Sequence, residues 1–192
     1  MRLLIGTLFG LAIAAIVGLG LTYLSLTRGT AFGGLSIDSW TAWPKSGTTD
    51  ADPYVRASIA RSGRLPTAMG DGVSFTLQSD DEGKALDGRC DVVISGVTPV
   101  ARFWTMTLYN PDGALVANST NRFGFTSQEI VRRSDGTFEI VVSPRASAGN
   151  WLPTGGVDRY ELILRLYDTA VGVSTKAGRE VPMPDVMTRS CP

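Results

Sequence analysis

The run from Arg102 to Tyr109 constrains this chain more than any other stretch. Trp104, Met106 and Leu108 fall on one side of an extended backbone. Phe103, Thr105, Thr107 and Tyr109 fall on the other. A period of two, rich in aromatic and β-branched residues, predicts a strand with one face in a core. The next four residues, Asn110 to Gly113 (NPDG), end it as a turn, because proline presets φ and Asn, Asp and Gly suit the remaining positions.

The same signal recurs after residue 70. Val73, Phe75 and Leu77 alternate with Ser74, Thr76 and Gln78. Cys90, Val92 and Ile94 alternate with Asp91, Val93 and Ser95. Further strands are expected at Leu115–Ala117, Ile130–Arg133, Thr137–Val142 and Tyr160–Tyr167, with turns at Asp80–Gly83, Leu86–Gly88 and Ser134–Gly136. Short strands separated by such turns predict a mainly β domain, an antiparallel β-sandwich or jelly roll. One short helix is expected over Asp50–Arg61, capped by Asp50 or Asp52, with Pro53 in its first turn and Gly63 and Pro66 ending it. Tyr54, Ala57, Ile59 and Ala60 would form its apolar face.

Leu3 to Leu26 contains no charged residue. As a helix these residues span about 36 Å, enough for a hydrocarbon core of about 30 Å. The expected organisation is a transmembrane anchor at 1–28, a linker at 29–37 and the β-sandwich at 38–192. The competing reading is a cleaved signal peptide. Its apolar core would be shorter and would end at a small-x-small site, which Thr22 to Thr27 is not. An anchor in the bacterial inner membrane with the C-terminal domain periplasmic is therefore favoured. Gly6, Gly10, Ala14, Gly18 and Thr22 recur every four residues, a stripe suited to helix–helix self-association, although small residues are common in membrane helices anyway. Trp40 and Trp43 either cover an edge of the domain or sit at the membrane interface. The preceding Leu35 and Ile37 favour the edge.

Composition excludes several chemistries. The chain has 18 basic and 18 acidic residues, so no basic excess exists to bind nucleic acid. It has no histidine, which removes His-based triads and most zinc sites. Neither a cofactor nor a metal centre is expected. Asp80, Asp81, Glu82 and Asp87 form an acidic cluster read as a solvated hairpin turn in preference to a Ca²⁺ site. Asp112, Asp135, Glu139 and Glu161 are the carboxylates available to a histidine-free hydrolase acting on envelope carbohydrate. In an oxidising compartment Cys90 and Cys191 would pair, the alternative being two buried thiols. No catalytic residue is assigned. The candidate binding surface is Arg102, Trp104, Tyr109, Arg122, Asn150, Trp151, Arg165 and Tyr167, because aromatic faces and guanidinium groups recognise glycans, lipid headgroups and peptides. The competing reading puts the tryptophans in the core and gives the arginines acidic neighbours. Arg165 and Glu161 are too far apart along one strand, so a cross-strand acid is the expected partner of Arg165. Asn150 is expected to bond the turn backbone. Trp151 is expected to plug one end of the sandwich, leaving Leu152 the more exposed of the two.

Four stretches together resemble a bacterial family, the domain of unknown function 1214, in its short membrane-anchored alphaproteobacterial form. They are Asp52–Gly63 (DPYVRASIARSG), Arg102–Tyr109 (RFWTMTLY), Gly149–Pro153 (GNWLP) and Leu164–Asp168 (LRLYD). The similarity covers roughly 38–191. It implies a β-sandwich related to jelly rolls, and a partner carrying the domain numbered 1254, which longer members contain. It implies no reaction. The functional expectation is an envelope protein that binds a glycan, lipid or protein partner, with the carboxylate hydrolase as the alternative.

Overall fold

The computed structural model describes residues 2–28, 34–62, 65–68, 70–171 and 181–191. Helix α1 (Arg2–Arg28) is followed by strands β1 (Leu35–Ile37) and β2 (Trp40–Ala42), a 3-10 turn (Pro44–Gly47) and helix α2 (Pro53–Ser62). Eight strands complete the chain: β3 (Gly72–Leu77), β4 (Asp91–Gly96), β5 (Phe103–Tyr109), β6 (Gly124–Thr126), β7 (Phe138–Ser143), β8 (Asn150–Pro153), β9 (Glu161–Tyr167) and β10 (Asp185–Ser190). One sheet has the order β1-β2-β3-β9-β5-β6, the other β10-β4-β7-β8. The fold is the expected sandwich with one short helix behind an apolar N-terminal helix. It departs from a purely antiparallel design at β8, which runs parallel to β7.

Alternation accounts for the core. In the six-stranded sheet one inward row, Leu35, Ala42, Phe75, Leu164, Met106 and Phe125, crosses every strand in register. The other sheet answers with Val92, Ile94, Phe138, Ile140, Val142, Leu152 and Val186, all buried. Trp40 lies fully buried at the margin of this core and donates its indole N–H to the Pro184 carbonyl at 2.9 Å. It covers an edge, as its neighbours suggested. The Asn110–Gly113 turn forms as read. Gly113 takes a φ of 80° and donates to Asn110 O at 2.9 Å, and Asn110 Oδ1 accepts from Ala114 N at 2.8 Å.

Several expectations need correction. β1 uses Leu35–Ile37, residues assigned to the linker, because Ile37 is buried opposite Trp40. Leu115–Ala117 and Ile130–Arg133 are not strands. Each contributes one isolated bridge, Tyr109 with Leu115 and Arg132 with Phe138. Helix α2 is capped by Asp52, whose Oδ1 accepts from Tyr54 N at 2.8 Å, but it buries Val55 while Tyr54 and Ala57 are exposed. The acidic turn is only partly solvated. Asp80 is buried and accepts from Lys84 N at 2.8 Å, Glu82 N at 3.2 Å and Thr188 Oγ1 at 2.5 Å. Asp81 accepts from Val186 N at 2.7 Å and Ser39 Oγ at 2.5 Å. These carboxylates fasten the last strand. Cys90 and Cys191 form a disulfide that closes the same strand onto the start of β4.

Candidate functional site

Outward-facing residues of the six-stranded sheet form cross-strand rows. Phe103 stands opposite Tyr167, Thr105 opposite Arg165, Thr107 opposite Ile163, and Tyr109 opposite Glu161. Ser74 and Thr76 extend the middle rows on β3. The Phe103 and Tyr167 rings pack with centroids 5.8 Å apart. The Arg165 guanidinium lies 5.5 Å from the centre of the Tyr109 ring and donates to its phenol oxygen at 3.3 Å. The partner of Arg165 is thus a phenol, where an acid was expected. Ile163 lies between them in the register and is only 5 % exposed. Arg102, at the start of β5, makes a loose, exposed ion pair with Asp168 at 3.8 Å. Tyr109, Arg165 and Tyr167 therefore share one face, joined by Phe103, which the sequence reading had not selected, whereas Arg102 stands just outside β5 with the parity of inward Trp104. The signal of Phe103 was its parity with Tyr109.

The other candidates lie elsewhere. Trp104 points inward, 2 % exposed, and packs on the Phe138 ring at 5.6 Å. Asn150 is buried. Its Oδ1 accepts from Val131 N at 2.8 Å, and its Nδ2 donates to Val131 O and Glu139 O, each at 2.8 Å. That amide satisfies three backbone groups and decides which way β8 faces. Asn150 and Leu152 share the inward side, Leu152 in register with buried Val142. Trp151, one residue apart, must face outward beside Val141. The expected burial is reversed: Leu152 has no exposed surface, and Trp151 is half-buried with its Nε1 donating to Ser143 O at 3.0 Å. Arg122 donates to the Trp151 carbonyl at 3.1 Å and sits 5.3 Å from the centre of the Phe125 ring. These two belong to the margin of the sandwich, apart from the Tyr109 face.

The four carboxylates offered for hydrolysis do not share a cleft. Asp112 and Asp135 are exposed in separate turns. Glu139 faces outward from the four-stranded sheet, held by Arg133 at 2.7 Å and Arg189 at 3.5 Å. Glu161 is buried on the outer side of the opposite sheet and accepts from Gln78 Nε2 at 3.1 Å. Two other carboxylates have clearly depressed pKa values, and both are structural. Hydrogen bonds from the Arg89 side chain, then from its backbone, hold Asp87 down at about 2. Asp91 is lowered first by hydrogen bonds from Ser143 and Ser190, then by Arg145. Asp91 ties β7 and β10 to β4, with Ser143 Oγ at 2.5 Å, Arg145 at 2.7 Å and Ser190 Oγ at 2.8 Å. No group of three or more metal-ligating side chains is gathered among the described residues.

The architecture defines a mixed two-sheet sandwich in which Asp80, Asp81 and Asp91 hold strands together. The chain belongs to the protein family of unknown function DUF1214, whose profile matches residues 71–171. Three of the four stretches that carried the resemblance lie inside that range. The VPA0106 protein from Vibrio parahaemolyticus shares the fold, with a TM-score of 0.58 at 23 % identity over 73 % of this chain. The match takes up 36 % of that protein, so this chain spans only part of its relative's length. A putative uncharacterized protein from Burkholderia cenocepacia aligns over 93 % of this chain and 52 % of its own, with a TM-score of 0.42 at 14 % identity. None of the curated proteins matches this sequence.

Proposed function

We propose that this chain is a membrane-anchored binding module, with residues 1–28 as the anchor and the sandwich on the periplasmic side of the inner membrane. The outer face of the six-stranded sheet is its recognition surface, and an envelope glycan its ligand. One observation carries the reading: register brings Phe103, Tyr167, Tyr109 and Arg165 onto one face with a hydroxyl row between them. Phe103 and Tyr109 are six residues apart on β5, about 20 Å at 3.4 Å per residue. That length suits several sugar units. Ring faces stack on the apolar side of a pyranose, and Thr105, Thr107, Ser74, Thr76 and the guanidinium supply hydrogen bonds. The separated carboxylates favour binding over hydrolysis.

Helix α1 supports the anchoring part. Its window Arg2–Ser25 has mean hydropathy 2.4, long and apolar enough to cross a membrane, and large side chains such as Leu3, Phe9 and Ile16 lie exposed along it. Cys90–Cys191 pairing suits an oxidising compartment. The test is titration of the full chain in lipid nanodiscs with soluble peptidoglycan and outer-envelope saccharide fragments. Tyr109→Ala and Arg165→Ala should each weaken binding about tenfold, the loss expected for roughly 1.4 kcal/mol. If the wild type binds none of the fragments, or the double variant binds as well as wild type, the proposal fails.

A further inference from the structure

We propose that the end of the sandwich entered by the tether is itself a lipid-contacting surface, with the β4–β5 loop placing Val97 and Val100 in the membrane interface. The inference rests on the anchoring reading above and adds an orientation to it.

Strand order fixes which loops share that end. β1 begins at Leu35, in register with Ala42, which pairs with Phe75. β2 therefore runs toward the start of β3, so the tether, the segment carrying α2 and residues 71–72 all belong to one end. The start of β5 and the end of β9 lie there too, since Gly72 and Phe103 both pair with Tyr167. Hydrogen bonds stitch this end together: Arg102 N to Tyr167 O at 3.1 Å, Asp168 N to Asp71 O at 3.0 Å, and Thr169 Oγ1 to Val100 O at 2.7 Å.

The tether is short. From Arg28, the last residue of α1, to Leu35, the first of β1, the chain advances seven residues. At no more than about 3.3–3.6 Å per residue it reaches about 25 Å at most, whatever its conformation. That is close to the length of the sandwich strands, so the Leu35 end stays near the bilayer. At this end Val100 is 91 % exposed and Val97 38 % exposed. Pro99 between them is buried and pins the loop. Among the described residues, exposed arginines and aspartates occur here together (Arg56, Arg61 and Arg102 with Asp71 and Asp168), and the proposed contact is made by the apolar side chains. Turns at the opposite end carry Asp81, Glu82, Asp112 and Asp158 together with Lys84, Arg89 and Arg159, all exposed.

The test places a bimane label on single added cysteines of the full chain, kept under non-reducing conditions, in vesicles containing lipid spin-labelled at the headgroup for the sandwich positions and along the acyl chain for the position in α1. The positions are Val100→Cys, Gly10→Cys within α1, and Leu115→Cys, half-exposed at the far end of the sandwich. Val100 and Leu115 are exposed, so the substitutions leave the core intact. Strong quenching is expected at Gly10, and quenching at Val100 severalfold above Leu115. Quenching at Gly10 with Val100 no different from Leu115 would overturn the orientation and leave the anchor standing. Absence of quenching at Gly10 would overturn the anchor and the orientation together.

Discussion

Replacing Leu152 and Trp151 separately by alanine tests the register of the parallel edge strand. Leu152 is fully buried opposite Val142, and Trp151 is half-buried on the outer face. Truncating a buried leucine removes its transfer energy and leaves a cavity, for a total of about 3–5 kcal/mol in well-packed sites. β8 is a four-residue edge strand and can relax inward, which puts the expected cost near 3 kcal/mol, at the lower end of that range. Trp151→Ala loses one hydrogen bond to Ser143 O, about 1 kcal/mol, and part of a contact area that is already wet. Its cost should be about 1–2 kcal/mol. For a domain of this size each kcal/mol moves the melting temperature by about 2–4 °C. Thermal unfolding of residues 34–192, followed by circular dichroism, should show Leu152→Ala melting about 6–12 °C below wild type. Trp151→Ala should fall by about half that or less. A larger drop for Trp151→Ala would mean that β8 faces the other way and that the Asn150 hydrogen bonds do not set its register.

Three further outcomes are expected. Cys90→Ser with Cys191→Ser opens a bridge between residues 101 apart, for which loop entropy gives about 4–5 kcal/mol, so the melting temperature should fall by roughly 10 °C or more; an unchanged melting curve would show that β10 is held without the bridge. Asp87 has its folded pKa depressed to about 2, below its ordinary value of 3.8, so its contribution is present above that unfolded value and is lost as pH falls from about 4 toward 2; urea unfolding should show a shallower acid loss for Asp87→Asn than for wild type, and parallel curves would count against it. Protease added to spheroplasts should digest the sandwich and leave a membrane-bound fragment; a domain cut only after lysis would place it in the cytoplasm.

The strands legible in the sequence are those at least six residues long with a one-sided core face, namely β3, β4, β5, β7 and β9. In each, Val, Leu, Ile, Phe or Met recurs at every second position and meets the facing sheet. β1, β2 and β6 have three residues each, too few for a period to register. β8 contains Pro153 and a buried asparagine, and its partner is parallel, a pairing no local turn signals. β10 buries only Val186. Its hold comes from Asp80, Asp81, Asp91 and the disulfide, and of these only the cysteines were visible in the sequence. Leu115 and Arg132 pair once and then leave, Leu115 because the Asn110–Gly113 turn returns the chain before Asn118 turns it away. Asn118 Oδ1 accepts from Thr120 N at 3.2 Å and Arg122 N at 3.1 Å.

The candidate surface was half legible for the same reason. Parity along one strand puts Tyr109 with Phe103 and Arg165 with Tyr167, but only the β5–β9 register decides what Arg165 reaches. Arg165 pairs with Thr105, and Tyr109 with Glu161, four residues along β9. At 3.4 Å per residue their backbones stand about 14 Å apart along the strands. Only two of the longest side chains, leaning toward each other past the Ile163 position, close that gap. The consequence for binding is physical. An exposed arginine loses about 2 kcal/mol of rotamer freedom when a ligand immobilises it, whereas a guanidinium already stacked on a phenol ring has part of that loss behind it. Arg165 is preorganised by Tyr109, and a ligand meeting this face finds a cation and a ring already set against each other.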